Sequence, residues 1–240
     1  MALNANRQEN HLLARLPDAE WEFWQAQLEP VEMSLGHVLY EVGTTLTHIY
    51  FPTSAIVSLL YVMENGASAG IAVVGHEGIV GVSLFMGNES TASRAVVQNA
   101  GIGFKLKANL ILEKFDWTGP AQQLILSYTE ALITQMSQTA TCNRSHTLDQ
   151  QFCRWLLLSL DRSISPELIV TQDLIAKILG TRRDNINEIM SNLQKVGLIS
   201  FDKSHTKVLD RARLEKRVCK CYFAIKKEYD RLLSPIPQTA

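Results

Sequence analysis

The 240-residue chain, with 46 % hydrophobic and 20 % charged residues, has the composition of a globular protein rather than of a disordered or membrane-spanning one. Its net charge of −1 hides a split: residues 1–169 carry −7 and residues 170–240 carry +6. An acidic front and a basic back point to contact with a polyanion through the back part only.

No run reaches the ~18 apolar residues of a spanning helix, and the N-terminal MALNANRQENHLL lacks the basic start and apolar block of a secretory signal. A cytoplasmic location without membrane contact is expected. The four cysteines form no CxxC, and a helical Cys219-x-Cys221 would point its thiols to different sides. They read as reduced packing residues, and no metal site is expected.

Residues 11–28 have helical spacing, with Asp18 placed to open a turn after Pro17. From 31 to 107, short β-branched and aromatic runs alternate with turn signals. Asn65-Gly66 is the strongest hairpin signal among them, and roughly eight strands in a barrel or sandwich are expected. Within this region, GHEGIVGVSLFMGNESTASRAVV (75–97) sets small residues as though backbone must close over a phosphate, with Arg94 as its counter-charge.

After Gly119-Pro120 the period becomes helical and runs for more than twenty residues. Leu124, Tyr128, Ala131, Gln135 and Thr139, with Leu132 and Met136 beside them, form a stripe at spacings of three and four. Such a face packs either on its own β domain or on a second copy of itself, and the second is the expectation, giving a two-fold dimer. A further helix from 147 places Leu148, Phe152, Trp155, Leu156 and Leu160 on one side.

Residues 168–201 carry the most information. Thr171 can cap a helix with Leu174, Ile175, Ile178 and Leu179 inward; Gly180 breaks it; a second helix from about Arg182 has Ile186, Ile189, Met190 and Leu193 inward; Gly197 closes it. Ala176 is small enough for a close crossing, and Gly180 follows four positions later, the offsets of a helix-turn-helix. Thr171, Gln172 and Thr181 fall at the starts of the two helices, and Arg182, Arg183, Asp184, Asn187, Glu188 and Ser191 are expected outward on the second. Arginine, asparagine and carboxylate groups there can hydrogen-bond base edges. A merely solvated helix has no need of two arginines in its first turn, where the helix dipole opposes positive charge.

Next, LISFDKSHTKVLD reads as a wing with Lys203 and Lys207 available for phosphates. Asp210 then caps one last helix with Leu214, Val218, Cys221, Tyr222, Ile225 and Tyr229 inward.

The order of these parts resembles the Crp/Fnr superfamily of bacterial transcription regulators, over nearly the whole chain and most specifically at 168–201. The resemblance implies an α+β fold: an N-terminal double-stranded, jelly-roll-like β-roll similar to a cyclic-nucleotide-binding domain (1–118), a long dimerisation helix (119–146) and a C-terminal winged helix-turn-helix (147–240). It further implies a homodimer on near-palindromic double-stranded DNA, with RNA polymerase as a partner and a small-molecule effector in the β-roll. Two departures stand out: Asn187-Glu188 replaces a Gly-Arg pair common in the recognition motif, and the final helix is long.

In cyclic-AMP-binding relatives, a Gly-Glu pair is followed some ten residues on by Arg-Ser-Ala. The effector positions here would be Gly81, Val82, Ser83, Ser93, Arg94 and Ala95. Val82 stands where the ribose-binding glutamate belongs, leaving a ligand hydroxyl unpaired at a cost of about 1 to 3 kcal/mol. Ser93-Arg94 is in exchanged order, which turns the guanidinium to the opposite face of a strand. Cyclic AMP is therefore not the expected effector. Nor is haem, for which only the isolated His11, His37, His48 and His76 offer ligands, and no other cofactor is implied.

An alternative from another class is a ligand-binding or protein-docking module whose winged helix no longer reads DNA, motivated by Asn187-Glu188. An enzyme is not expected. P-loop, GxSxG and HExxH motifs are missing from the sequence, and Glu64, Glu77 and Glu89 fall in apparent turns.

Overall fold

The computed structural model describes residues 6–87, 89–115 and 118–233. The first five residues of MALNANRQENHLL, the stretch on which the absence of a signal was argued, lie outside them.

A single 3-10 turn (Arg7–Glu9) leads into α1 (His11–Ala14) and α2 (Asp18–Gln25). Pro17 occupies the cap position of α2, so Asp18 lies inside the first turn, where its charge suits the helix dipole. Asn10 anchors this segment from a fully buried position. Its Oδ1 accepts from the Leu12 and Leu13 amides, and its Nδ2 donates to the Pro52 and Gly78 carbonyls, each at 2.9 Å.

Among the described residues seven strands follow, against the roughly eight expected: β1 (Glu29–Met33), β2 (Val38–Tyr40), β3 (His48–Pro52), β4 (Ile56–Val62), β5 (Ser68–Val74), β6 (Arg94–Asn99) and β7 (Gly101–Lys107). They form two antiparallel sheets, β1-β7-β3 and β2-β6-β4-β5. Gly66 turns the β4–β5 hairpin at φ +82°, in the left-handed region that its lack of Cβ permits. Ile49, Phe51, Ile56, Val57, Val74, Val97 and Leu106 fill the space between the sheets, and Trp24, Phe51, Phe85 and Phe115 close one end with tilted and edge-on ring contacts.

After α3 (Ala108–Lys114) comes α4 (Pro120–Ser145), twenty-six residues long and opened by Pro120 as expected. Its nominated dimer stripe is a correction. Tyr128, Leu132, Gln135 and Thr139 are buried by their own chain, and Leu124 and Met136 are half-buried against the same core. The physical reason is polar as much as apolar. The Tyr128 hydroxyl donates to the Ile79 carbonyl at 3.2 Å, Gln135 Nε2 donates to the Val73 carbonyl at 3.2 Å, and Thr139 Oγ1 accepts from Arg154 at 2.7 Å. What α4 leaves outside is a second stripe, Leu126, Ile133 and Ala140, with Leu126 53 % and Ile133 54 % exposed.

The rest of the chain comprises α5 (Leu148–Leu160), β8 (Glu167–Ile169), α6 (Gln172–Ile178), α7 (Arg183–Lys195), β9 (Ile199–Asp202), β10 (His205–Val208), α8 (Arg211–Arg217) and α9 (Lys220–Leu233). Thr147 and Gln150 start α5 with a reciprocal capping box. The single final helix of the sequence reading is two helices, because the backbone leaves helical geometry at Val218–Cys219. The break lets α9 lie along α4, with Tyr222, Ile225, Tyr229 and Leu233 buried.

The C-terminal part docks on the β-roll through buried polar groups. Gln98 of β6 accepts from Ser58 at 2.6 Å and from the Trp155 indole at 3.1 Å, and donates to Ser159 at 2.7 Å. Arg162, just beyond α5, donates to Glu77 at 2.6 Å, to Gln135 at 3.0 Å and to the Leu158 carbonyl at 2.9 Å, and lies 5.1 Å from the centre of the Tyr229 ring. Burial alone would lower the Arg162 pKa; the Glu77 charge reverses this and holds it above its usual value.

Gly75 and Gly78, which the sequence offered as phosphate-cradling residues, serve this docking instead. A Cβ on Gly75 would stand 2.6 Å from Arg162 Cβ, and one on Gly78 would stand 2.5 Å from the Tyr128 ring. Both members of the Glu77–Arg162 pair are buried, at 13 % and 6 % side-chain exposure. Glu77→Gln therefore strands a buried cation and is expected to cost about 3 to 5 kcal/mol in urea unfolding; a loss below about 1 kcal/mol would mean that the pair does not hold the two halves together.

Candidate nucleic-acid interface

Thr171 caps α6 as expected: its side-chain oxygen accepts from the Leu174 amide at 3.2 Å. Thr171 is exposed and keeps its O–H free to donate, while Gln172 is half-buried beside it. Helix α6 ends at Leu179, and Gly180 takes φ +61°, reversing the chain within one residue so that Thr181 can donate its amide to the Ala176 carbonyl at 2.9 Å. The crossing is sealed by Ile175, Ala176, Ile178, Ile186, Met190 and Leu193, all buried.

Arg182 is the cap residue of α7 rather than its first turn, and its side chain makes no capping bond. The three fully buried inward positions of α7, Ile186, Met190 and Leu193, fix what faces out: Asp184, Glu188, Ser191 and Lys195 run along the opposite side, spaced by three and four. Asp184, Glu188 and Lys195 are exposed, and Ser191 is half-buried.

Arg182 and Arg183 flank the start of this ridge. Arg182 pairs with Asp184 at 3.1 Å and Arg183 with Asp173 at 3.3 Å, all four side chains more than half exposed. Ion pairs this wet are weak, so both guanidinium groups can exchange their carboxylates for phosphate or a base edge. Asn187 departs from expectation. It lies at the edge of the ridge, half-buried, with its Oδ1 out of solvent and unpartnered. Asn185, which the sequence reading passed over, is exposed instead, with Nδ2 donating to Thr181 Oγ1 at 2.9 Å. The helical wheel about Ile186, Met190 and Leu193 could have found it.

The wing is the hairpin β9–β10 joined to β8 in a three-stranded antiparallel sheet. Lys203 forms its tip at φ +51°, an unusual conformation for a residue with a Cβ, and is exposed. Lys207 points across the strand pair to Glu167, 3.5 Å away, so its charge is partly engaged.

The presumptive effector positions are brought together only in part. Gly81 turns the chain at φ +99°, Val82 begins a 3-10 turn (Val82–Met86), and Ser83 Oγ is buried without a hydrogen-bond partner. Ser93, just before β6, and Ala95 on it are buried while Arg94 is half-exposed, donating to Glu41 at 2.7 Å. Ser93 is held by Thr91 Oγ1 at 3.1 Å, and burial pushes the neighbouring Tyr40 hydroxyl up to about 12, against the opposing pull of its hydrogen bond with Ser93. A carboxylate thus stands where an incoming phosphate would need the guanidinium free.

Residues 150–217 match the family described as a Crp-like helix-turn-helix domain. No curated protein sequence matches the chain. Among solved structures, the fold is similar to a putative Crp/Fnr-family transcriptional regulator from Eubacterium rectale, at 15 % identity over 88 % of this chain and 98 % of that one, TM-score 0.64. It is also similar to FixK2 from Bradyrhizobium japonicum, at 13 % identity over 80 % and 98 %, TM-score 0.66. A third is the c-di-GMP responsive global regulator CLP from Xanthomonas campestris, at 14 % identity over 81 % and 100 %, TM-score 0.61. Residues 150–217 form a Crp-like helix-turn-helix domain, and the chain shares the fold of solved Crp/Fnr-family regulators, with a mixed α and β N-terminal half.

The Thr171 cap generates a direct check on the helix pair. Thr171→Ala should lower unfolding free energy by about 1 kcal/mol through the orphaned Leu174 amide, as read by chemical denaturation; an unchanged midpoint would show that α6 does not depend on that cap.

Proposed function

We propose that this protein is a dimeric, sequence-specific DNA-binding transcription regulator of Crp/Fnr type, divided into a sensory part (1–118), a dimer helix (119–146) and a DNA-reading part (147–240). The observation that carries the reading is the exposed polar ridge of α7, set at a fixed angle by the Gly180 turn and flanked by Arg182 and Arg183. Asp184 and Glu188, central on that ridge, are acceptors suited to cytosine amino groups, and the two arginines are donors suited to guanine or phosphate. Lys203 and Lys207 on the wing serve the backbone, and Thr181 and Ser191 supply hydroxyls at the edges. Gln172 approaches from the start of α6. Asn187 is a weaker candidate than Asn185, since its carbonyl oxygen faces protein.

Two copies would present two ridges to successive major grooves of a near-palindromic site, with RNA polymerase as the partner the regulator acts on. The dimer contact is assigned to the outer stripe of α4, Leu126, Ile133 and Ala140, whose seven-residue spacing is that of a helix pair and whose exposure leaves it unpartnered within the chain. The β-roll senses a small molecule other than cyclic AMP: Val82 offers no carboxylate to a ribose, and Arg94 is committed to Glu41.

Two measurements test this. Arg183→Ala should weaken binding to the cognate promoter by about 1 to 3 kcal/mol, and footprints of the intact protein should define a two-fold site. A protein that shifts all DNA equally, or none, would leave only the docking-module alternative. Ile133→Glu should convert the dimer to monomer in analytical ultracentrifugation and weaken promoter binding in parallel; a dimer that survives it must use another face.

A further inference from the structure

Three cysteines and a histidine outside the DNA-reading ridge meet where the end of α4 faces the break between α8 and α9. Cys142 lies in the last turn of α4, and His146, one turn on, ends that helix. Cys219 sits in the break, and Cys221 is in the first turn of α9. Their three sulfurs and one imidazole nitrogen all lie within 4.8 Å of one another. Cys142 Sγ is 3.5 Å from Cys219 Sγ, and Cys221 Sγ is 3.7 Å from His146 Nδ1.

On an unbroken helix, residues two apart face different sides. The expectation that Cys219-x-Cys221 makes a poor chelate failed because Cys219 precedes the helix, so both thiols turn toward α4. Cys142 and His146, four apart on one helix end, supply the other pair. Ligands on a tetrahedral zinc ion, with Zn–S about 2.3 Å and Zn–N about 2.0 Å, stand about 3.5 to 3.8 Å from one another. The two measured separations are already of that size.

An independent observation concerns charge. Arg154 of α5 is only 4 % exposed, donates to Thr139 Oγ1 at 2.7 Å and to Asn143 Oδ1 at 3.5 Å, and leaves Nε buried without a partner. Among the described residues it makes no salt bridge to a carboxylate. A buried cation needs a counter-charge. A divalent ion held by three thiolates and one neutral imidazole carries a net charge of about −1, which is what Arg154 lacks.

We propose that Cys142, His146, Cys219 and Cys221 form a closed, structural metal site, with zinc as the ion, fastening the start of α9 to the end of α4. Thiolate and imidazole donors in a four-coordinate arrangement favour zinc over oxygen-seeking cations, and four protein ligands leave no open position for chemistry. Binding releases the thiol protons, and the ion stabilises the folded form because the ligands come together only there.

The test uses the full chain, purified with reductant and without chelator. Elemental analysis should return one zinc per chain. Replacing zinc by Co2+ should give thiolate-to-cobalt charge-transfer absorption and the intense visible bands of a tetrahedral ion. Cys219→Ser and Cys142→Ser should each lose the metal and the charge-transfer band, whereas Cys153→Ser, at a buried cysteine of α5 outside the cluster, should keep both, with circular dichroism confirming the helices in each variant. Should Cys219→Ser fail to fold, titration of the reduced wild-type protein with Co2+ decides alone. Reduced protein that contains no zinc and develops no cobalt bands would overturn the proposal. So would a Cys142–Cys219 disulfide in the isolated protein whose reduction yields a chain that takes up neither ion.

Discussion

Arg162 is the constraint on which the relative placement of everything else depends. Its guanidinium touches four parts of the chain: Glu77 in the loop after β5, Gln135 on α4, the Leu158 carbonyl on α5 and the ring of Tyr229 on α9. A cation at that depth is tolerable only with its donors satisfied and a carboxylate beside it. Glu77 therefore has to be where it is, and the glycines on either side of it have to be glycines, since a methyl group at Gly75 or Gly78 would collide with Arg162 or Tyr128. Gly75 and Gly78, at the start of the stretch that looked like a phosphate cradle, form a socket for two side chains of the same protein.

Around this hub the helix-turn-helix is held in one orientation. Helix α6 approaches β5 so closely that a Cβ on Gly70 would stand 2.9 Å from the Ile178 carbonyl oxygen and its Cγ2. The Gln98 network fixes α5 to β6 at Trp155 and Ser159. The recognition helix inherits its position from these contacts while making few of them itself, so its outer face is free to be polar. Rigid support behind an uncommitted surface is what a reader of base edges requires.

The helix-turn-helix was legible because its rules are local: a cap, a small crossing residue, a glycine four later and apolar residues at fixed offsets are all visible in thirty residues. The β-roll was legible as strands and turns, with Asn65-Gly66 marking its clearest hairpin. Failures came wherever a long-range partner decided the outcome. The face of α4 that reads as a dimer stripe is apolar enough for either partner, and only coordinates reveal that Tyr128 and Gln135 bond the β-roll, leaving Leu126 and Ile133 outside. Asn187 and Asn185 differ by two positions on one helix, and neither propensity nor composition ranks their exposure. The break at Val218–Cys219 carries no proline or glycine; it exists because α9 must turn to lie on α4, and with it the orientation of both cysteines changes.

The contacts that join the two halves differ in kind from those that build each half. The sheets and the helix pair are filled with aliphatic and aromatic side chains, whose burial contributes in proportion to area and tolerates exchange among similar shapes. The junction adds to an apolar core shared by both halves the groups Ser58, Gln98, Ser159, Gln135, Glu77 and Arg162, which gain little net free energy when satisfied and cost several times more when one is left unpaired. Such a junction has few intermediate states: shifting α5 by an ångström along β6 breaks several hydrogen bonds at once. It is therefore a better device for setting one orientation than for adding stability, and any signal that repositions α7 from the β-roll side has to replace this set of hydrogen bonds by another complete set.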